Sequence, residues 1–527
     1  MIDLQFSNGV SARRSRALEQ HVRWAKMSPR LVVAANRAAQ RCLAMQGDDG
    51  RFVSSPDPRP FETALVGVAL SLSRDPRAHG AIARAKRWLS AHASAARDPM
   101  TQLFDESLAR IWSGERLTLT DPLLQSALML RKTWSLQVFA SLLEVDIDTG
   151  VDERFLRALV ETRFDKRASS TLKPWHRVEL AAMCAILSAR GGNHALSEQA
   201  LDELETLQER DGSFCFLPVS TALALVALAR RPQSPRFEQC LRYLMDQQQP
   251  DGAWLFTTNE LWDTSILLRT FDAYAELPAH SVERAREFLV RSQQSDGGWG
   301  FRVGVQSDND TSASALMALG AGPNHSEARA RCVRYLRGQR LPSGLWRTWQ
   351  DANDAVSDDV LAHVVVALRE CPEAADAPFE PSLSVAEDFL GSRFGDPRAV
   401  EDSWYRNRAY SMLEVAKALP PDHPALARAM SALVCEQNND GGWGALPGER
   451  SIASATGLAI TALLRFAPER TDAVADALGF MIDSQRADGS WSGVPEMLGP
   501  RPLVSHYPSQ THAFAASGVV LAARLTR

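Results

Sequence analysis

The chain has 527 residues, of which 45% are hydrophobic and 23% charged, with a formal net charge of −5 at pH 7. That length exceeds one ordinary core and suggests roughly two to four domains, with room to bury a deep apolar cavity. A mildly acidic chain lacks the basic balance of a nucleic-acid binder, so no nucleic-acid partner is expected.

The opening stretch, MIDLQFSNGVSARRSRALEQ, has no apolar signal region, and no apolar run approaches the roughly 18 residues of a membrane span. A cytoplasmic protein without an integral membrane segment is expected. The seven cysteines (Cys42, Cys184, Cys215, Cys240, Cys332, Cys371, Cys435) are scattered and free of CxxC spacing. They read as reduced thiols rather than a disulfide framework or zinc site.

Along the chain a Gln-x-x-x-Gly-x-aromatic pattern recurs, first at Gln46/Gly50/Phe52. From about 75 to 200 the periodicity is helical without such a turn. Within that stretch Asp146-Ile147-Asp148-Thr149 precedes Gly150 and reads as a surface turn, and RFDKRASSTLK gathers Arg163, Lys166, Arg167 and Lys173. The pattern resumes at Gln208/Gly212/Phe214, Gln248/Gly252/Trp254, Gln293/Gly297/Trp299, Gln437/Gly441/Trp443 and Gln485/Gly489/Trp491. A copy one residue longer stands at Gln339/Gly344/Trp346.

The turn itself reads Asp-Gly, a strong reversal signal, and its Gln can tie down helix ends. Ser/Thr/Asp-led, Ala/Leu-rich segments follow, such as STALALVALA from Ser220, TSASALMALG from Thr311 and SATGLAITALL from Ser454, which read as N-capped helices. Strand signals are sparse. The spacing predicts an all-α protein in which turn-plus-helix-pair units build α/α-barrels, two of them because copies fall on both sides of residue 260.

The turn resembles the QW motif of the terpene cyclase and prenyltransferase superfamily. The segments WDTSILLRTF, SQQSDGGWGF, SDNDTSASALMAL and SDDVLAHVVVAL, between Trp262 and Leu368, are similar in order and spacing to class II terpene cyclases of the squalene-hopene and copalyl-diphosphate type. LQERDGSFCFLPVSTALAL, from Leu207, is similar to labdane-type diphosphate cyclases, and LVSHYPSQTHAFAASGVVLAA resembles bacterial copalyl-type enzymes more loosely. The resemblance implies a βγ arrangement: an N-terminal helix over 1–30 packing on the β domain, an inserted γ domain over 31–259, and a β domain over 260–527 carrying the acid.

The family's acid motif, Asp-x-Asp-Asp-Thr, is met here by Asp308-Asn309-Asp310-Thr311, with Thr311 where the third acid falls. By that match Asp310 is the proton donor to an alkene, Asp308 tunes it, and Thr311 belongs to the catalytic group. An alkene is a very weak base, so the donor must be a carboxylic acid kept protonated by burial and adjacent charge. The plain alternative is an N-cap pair on a helix dipole. His363 matches the histidine that hydrogen-bonds the acid in squalene-hopene-type members. Asp359, four residues earlier, shares its helical face and can orient it; a satisfied core histidine is the alternative.

Carbocations need aromatic walls, for which Trp262, Trp346, Tyr405, Tyr410 and Tyr507 are candidates. The basic cluster at Arg163, Lys166, Arg167 and Lys173 lies where labdane-type cyclases carry phosphate-binding lysines, and a solvated loop is its alternative. Asp105 and Glu106 are candidate ligands for a Mg²⁺ bound with the substrate diphosphate. No DDxxD run of the kind that ionises diphosphates is present, so the diphosphate should survive.

The reading is an enzyme that cyclises farnesyl or geranylgeranyl diphosphate to a bicyclic, drimane- or labdane-type diphosphate, with oligomeric state open. A squalene-type triterpene or meroterpenoid cyclase and a non-catalytic α/α-toroid binding module are the alternatives. A protein prenyltransferase subunit is disfavoured because its Asp-x-Cys zinc pair does not occur.

Overall fold

The recurring turns are held by their own side chains. In all six regular copies the Gln amide donates to the carbonyl of the Gly four residues on, at 2.8–3.1 Å. The same nitrogen donates again to a carbonyl near the start of another helix, at Ser281, Arg236, Ala81, Ala328, Ala473 and Ala34 respectively. Each Gln thus ties its own turn to the early turns of another helix through a second hydrogen bond. Five turn tryptophans donate Nε1–H to the carbonyl ten residues earlier, as in Trp299 to Leu289 at 2.8 Å. Glycine is required by both conformation and space: Gly489 has φ +85°, and a Cβ there would lie 2.2 Å from the Arg37 carbonyl oxygen.

Other hydroxyls near helix starts tie down the turns. Thr264, Thr221, Thr63, Ser312 and Thr456 each accept the backbone N–H of a turn aromatic, namely Phe52, Phe214, Trp254, Trp299 and Trp443. The helices containing Ser220 and Ser454 start upstream of those residues, at Pro218 and Ala453, without a side-chain cap.

The structure is a computed structural model and describes residues 28–526 except 53–54, 97, 120–128, 167–171, 273–276, 350–354, 376–378, 395–403, 500 and 502. The expected helix over 1–30 and the candidate Arg167 lie essentially outside the described residues.

Helices α1 (Ser28–Ala44), α2 (Pro60–Ser73), α3 (His79–Ala91), α4 (Pro99–Trp112), α5 (Leu130–Leu142), α6 (Glu153–Asp165), α7 (Pro174–Arg190), α8 (His194–Thr206), α9 (Pro218–Leu228) and α10 (Pro235–Asp246) come first. Then follow α11 (Glu260–Phe271), α12 (Ala279–Arg291), α13 (Asn309–Ala318), α14 (Ser326–Gln339), α15 (Asp358–Glu370), α16 (Glu380–Phe394), α17 (Arg408–Ala418), α18 (Pro424–Cys435), α19 (Ala453–Phe466), α20 (Thr471–Ser484) and α21 (Pro508–Leu525). The described strands are two-residue pieces: β1 (Leu117–Thr118) pairs in parallel with β2 (Ile147–Asp148), and β3 (Met497–Leu498) antiparallel with β4 (Val504–Ser505). The fold is all-α, and Asp146-Ile147-Asp148-Thr149 sits at β2, away from any Ala-rich helix start.

Two apolar cores form. One runs from Phe61 to Trp254 and takes in Leu503; the other joins Leu31–Phe52 to Leu261–Ala523. Residues 31–52 pack with the C-terminal core, where α1 lies against α21. In that core α11 packs on α13, α13 on α15, α15 on α17, α17 on α19, α19 on α21, and α21 on α11. In the first core α2, α4, α5, α7 and α9 are neighbours in the same serial way, with α9 against α2. Among the described residues no helix is long and apolar enough to cross a membrane. Six of the seven thiols are buried and Cys435 is exposed.

Candidate active site

The start of α13 is pinned between two turns. Asp308 N–H donates to Trp299 O and Asn309 N–H to Thr348 O, both at 2.9 Å. Asp308 then caps the helix, accepting from Thr311 N–H at 2.6 Å and Thr311 Oγ1 at 3.0 Å. Capping explains why Asp308 begins the helix, and fixing the first turn presents Asp310 and Thr311 to the cavity beside it.

Both carboxyls are buried, at 2% exposure each. Burial, reinforced by the neighbouring Asp310, pushes Asp308 well above the ordinary carboxyl range. His363 reaches in from α15, with Nδ1 2.6 Å from Asp310 Oδ1. Its Nε2 lies 3.1 Å from Glu414 Oε2 of α17, an ionic contact without hydrogen-bond alignment. Burial alone would depress the imidazole, but Asp310 and Glu414 outweigh it and hold His363 up at about 9. The ring is therefore an imidazolium at neutral pH.

The cavity has a volume of about 550 Å³ and lies where the two cores meet. From the C-terminal part of the chain come Asp308, Asp310, Thr311, Trp262, Trp349 and Tyr405; from the N-terminal part come Phe61, Phe104, Phe139 and Trp175. Lys132, Arg163, Lys173 and Arg501 open onto the same space. Lys173 Nζ stands 5.6 Å from the Trp349 ring centroid and the Arg501 guanidinium 4.3 Å from that of Trp404. Trp349 meets Trp175, Phe301 and Trp404 edge to face, so the wall is a connected aromatic surface.

The aromatic candidates divide by position. Trp262 and Tyr405 line the cavity and are joined, Trp262 Nε1 donating to Tyr405 Oη at 2.7 Å, which donates to Gln510 Oε1 at 3.0 Å. Tyr410 packs behind, 4.5 Å from the Tyr405 ring centroid. Trp346 instead staples its turn through Leu336 O, and Tyr507 ties its hydroxyl to Thr257 O at 2.8 Å.

Among the basic candidates Arg163 and Lys173 line the cavity; Lys166, exposed at the end of α6, is not among its lining residues. Asp359 accepts from Val360 N–H, and the carboxylate set at the far nitrogen of His363 is that of Glu414. Asp105 and Glu106 do not converge, because consecutive helical side chains point about 100° apart. Asp105 is buried, accepting from Ser94 Oγ at 2.7 Å with its other oxygen unpartnered, whereas Glu106 bonds Gln102 at the surface. Among the described residues no three His, Cys, Asp or Glu side chains are grouped as a metal site.

The squalene-hopene cyclase C-terminal domain family matches residues 219–354, the stretch that carries Asp308 and Asp310. Drimenyl diphosphate synthase of Streptantibioticus cattleyicolor is 32% identical over 197 residues, 34% of this chain and 35% of that protein. Drimenyl diphosphate synthase of Streptomyces showdoensis is 32% identical over 125 residues, 22% of this chain and 24% of that protein. The ent-copalyl diphosphate synthase of Streptomyces platensis shares the fold over 94% of this chain and 99% of its own, with a TM-score of 0.54 at 17% identity. Over residues 219–354 the chain is thus similar to cyclases of the squalene-hopene type. Its matched stretch spans about a third of the length of the first curated relative.

Several cavity residues escaped sequence reasoning. Trp175, Trp349 and Trp404 stand outside the Gln-Gly-aromatic register, and that was the available signal, since a tryptophan not used as a staple is free to line a wall. Lys132 and Arg501 are distant in sequence from the basic cluster and join it only in space. Glu414 was signalled by a Glu414/Lys417 pair inside the otherwise apolar SMLEVAKAL of α17.

Proposed function

We propose that the protein is a class II terpene cyclase that starts cyclisation of a linear prenyl diphosphate by protonating its terminal alkene, with Asp310 as the acid. The observation that carries this reading is that Asp310 and four cations, Lys132, Arg163, Lys173 and Arg501, open onto one apolar cavity. Four cations beside one apolar cavity suit an anionic substrate such as a diphosphate, which accepts charge-assisted hydrogen bonds, rather than a hydrocarbon.

Asp310 gives its proton to the alkene as the new C–H bond forms, and the electron pair of its O–H bond stays on the carboxylate. The imidazolium of His363 stabilises that carboxylate. Asp308, held neutral by burial, adds no second charge. The faces of Trp262, Tyr405 and Trp349 stabilise the carbocation without attacking it. Farnesyl or geranylgeranyl diphosphate is the substrate in this reading. Two ring closures followed by proton loss give a drimane- or labdane-type diphosphate with the anchor intact, in line with the names of the two curated relatives.

The serial helix neighbours and the Gln ties support two α/α-barrels in a βγ arrangement with QW-type turns, the junction lying after residue 52. Asp105 and Glu106 do not form a cage, so Mg²⁺ is assigned to the substrate diphosphate, where it would neutralise charge; it typically keeps waters and takes few protein ligands. Incubation with C15, C20 and C25 prenyl diphosphates and with squalene, followed by phosphatase treatment and mass spectrometry, tests the reading. A cyclic alcohol from a diphosphate is expected; cyclised squalene in preference to all three diphosphates would refute it.

A further inference from the structure

We propose that Glu414 is the positioning residue that fixes the orientation and charge of His363, and through it the state of Asp310; the inference rests on the cyclase reading above. Glu414 is absent from the cavity wall and sits behind the acid. Its Oε2 faces His363 Nε2 at 3.1 Å and Arg269 at 3.3 Å, and its Oε1 accepts from Lys417 Nζ at 2.8 Å. Arg269, on α11, also donates to Ser314 on the acid's own helix at 3.1 Å. Four neighbouring helices, α11, α13, α15 and α17, are thereby tied in one layer behind Asp310. A helix slip at any of them moves the imidazole relative to the carboxyl.

The charges around the imidazole are accounted for element by element. Asp310 faces it from α13 and the Trp262 ring from α11; Glu414 and the Tyr410 ring face it from α17. On its own helix are Asp358, paired with Arg393 of α16, and Asp359; Arg369 pairs with Glu387 of α16. Beyond Glu414 stand Lys417 and Arg269, with Arg465 of α19 acting on Lys417 at longer range. Burial would raise the Glu414 carboxyl, yet Lys417, His363 and Arg269 hold it well below the usual range, so it stays an anion in the interior. Asp310 alone would give His363 one carboxylate, whose charge it loses whenever Asp310 is protonated. Glu414 keeps a second, permanent counter-charge at the other nitrogen, so the ring remains an imidazolium throughout the cycle.

The test is a pH titration of the His363 ring nitrogens by NMR on the substrate-free full-length protein, alongside steady-state kinetics. In Glu414→Gln the His363 midpoint should fall by about one pH unit or more, and kcat by ~10- to 100-fold with little change in KM. Glu414→Asp should restore much of both. A folded Glu414→Gln protein with the parental His363 midpoint overturns the assignment. Should Glu414→Gln fail to fold, Arg269→Met carries the test: with the guanidinium gone, the charge on Glu414 is less compensated and the His363 midpoint should rise, whereas an unmoved or lowered midpoint overturns it. Expected NMR shifts in a parent protein that turns over no prenyl diphosphate would refute the cyclase reading and leave the positioning role standing.

Discussion

His363 Nδ1 lies 2.6 Å from Asp310 Oδ1, a contact between residues 53 apart in sequence and on adjacent helices α15 and α13. One carboxyl oxygen is thus committed to the imidazole. The same side chain lines the cavity. In the proposed cyclase, the charge left on this carboxyl after proton donation is met by the imidazolium.

Asp310→Asn keeps the shape of the side chain and removes the acidic proton. Turnover should fall by at least ~10²-fold with circular dichroism and Tm close to the parent. Asp308→Asn retains an N-cap acceptor for Thr311 N–H and should fall less, whereas Asp308→Ala should also lose about 1 kcal/mol of stability with the cap, read by chemical denaturation.

The pH dependence follows from the imidazole. His363 titrates at about 9 in the folded protein against an ordinary 6.5. Its raised value contributes stability that is fully present below about pH 6.5 and is lost as pH rises through 9. The rate should share an alkaline limb near pH 9, where the imidazolium is lost. His363→Ala should lack this contribution to the stability profile and lower kcat more than it raises KM; a raised KM with unchanged kcat would make the residue a packing element.

For the anchor, Arg163→Ala and Lys173→Ala should weaken binding of a prenyl diphosphate far more than of the corresponding alcohol, through lost charge-assisted contacts. Lys132→Ala and Arg501→Ala should behave alike if those side chains share the load. Lys166→Ala, removing an exposed lysine outside the cavity lining, should change either binding little. Isothermal titration with substrate and alcohol for each variant checks the split.

Gly489→Ala should be among the most costly small substitutions in the turns, because φ is +85° and the new Cβ would lie 2.2 Å from Arg37 O. A loss of several kcal/mol or failure to fold is expected, on the order of other severe backbone clashes. Gly322→Ala, with nothing within 4 Å of the added carbon, serves as the control and should leave Tm nearly unchanged.

What could be read from the sequence followed periodicity and fixed offsets. The turns repeat Gln, Gly and aromatic at constant spacing, so their residues were legible, as was the pair Asp308 and Asp310 at the head of a helix. His363 was legible through the order of the motifs. The starts at Ser220 and Ser454 were misread because a Ser near a helix start caps in many helices, whereas these helices begin at Pro218 and Ala453 and the hydroxyls just beyond, Thr221 and Thr456, accept from a preceding turn. Spacing along one helix suggests Asp359 as the partner of His363, whereas Glu414 meets His363 from a neighbouring helix that no spacing reveals. The packing of α1 with the C-terminal core was equally hidden, since nothing local tells which core it will join.

The most direct measurement is turnover of farnesyl and geranylgeranyl diphosphate in deuterated buffer by the parent protein and by Asp310→Asn. The account predicts a cyclic diphosphate from the parent carrying one solvent deuterium at the carbon protonated first, no inorganic diphosphate released in proportion to product, and no such product from folded Asp310→Asn. A cyclic product without solvent deuterium, stoichiometric release of diphosphate, or full activity in Asp310→Asn would contradict it.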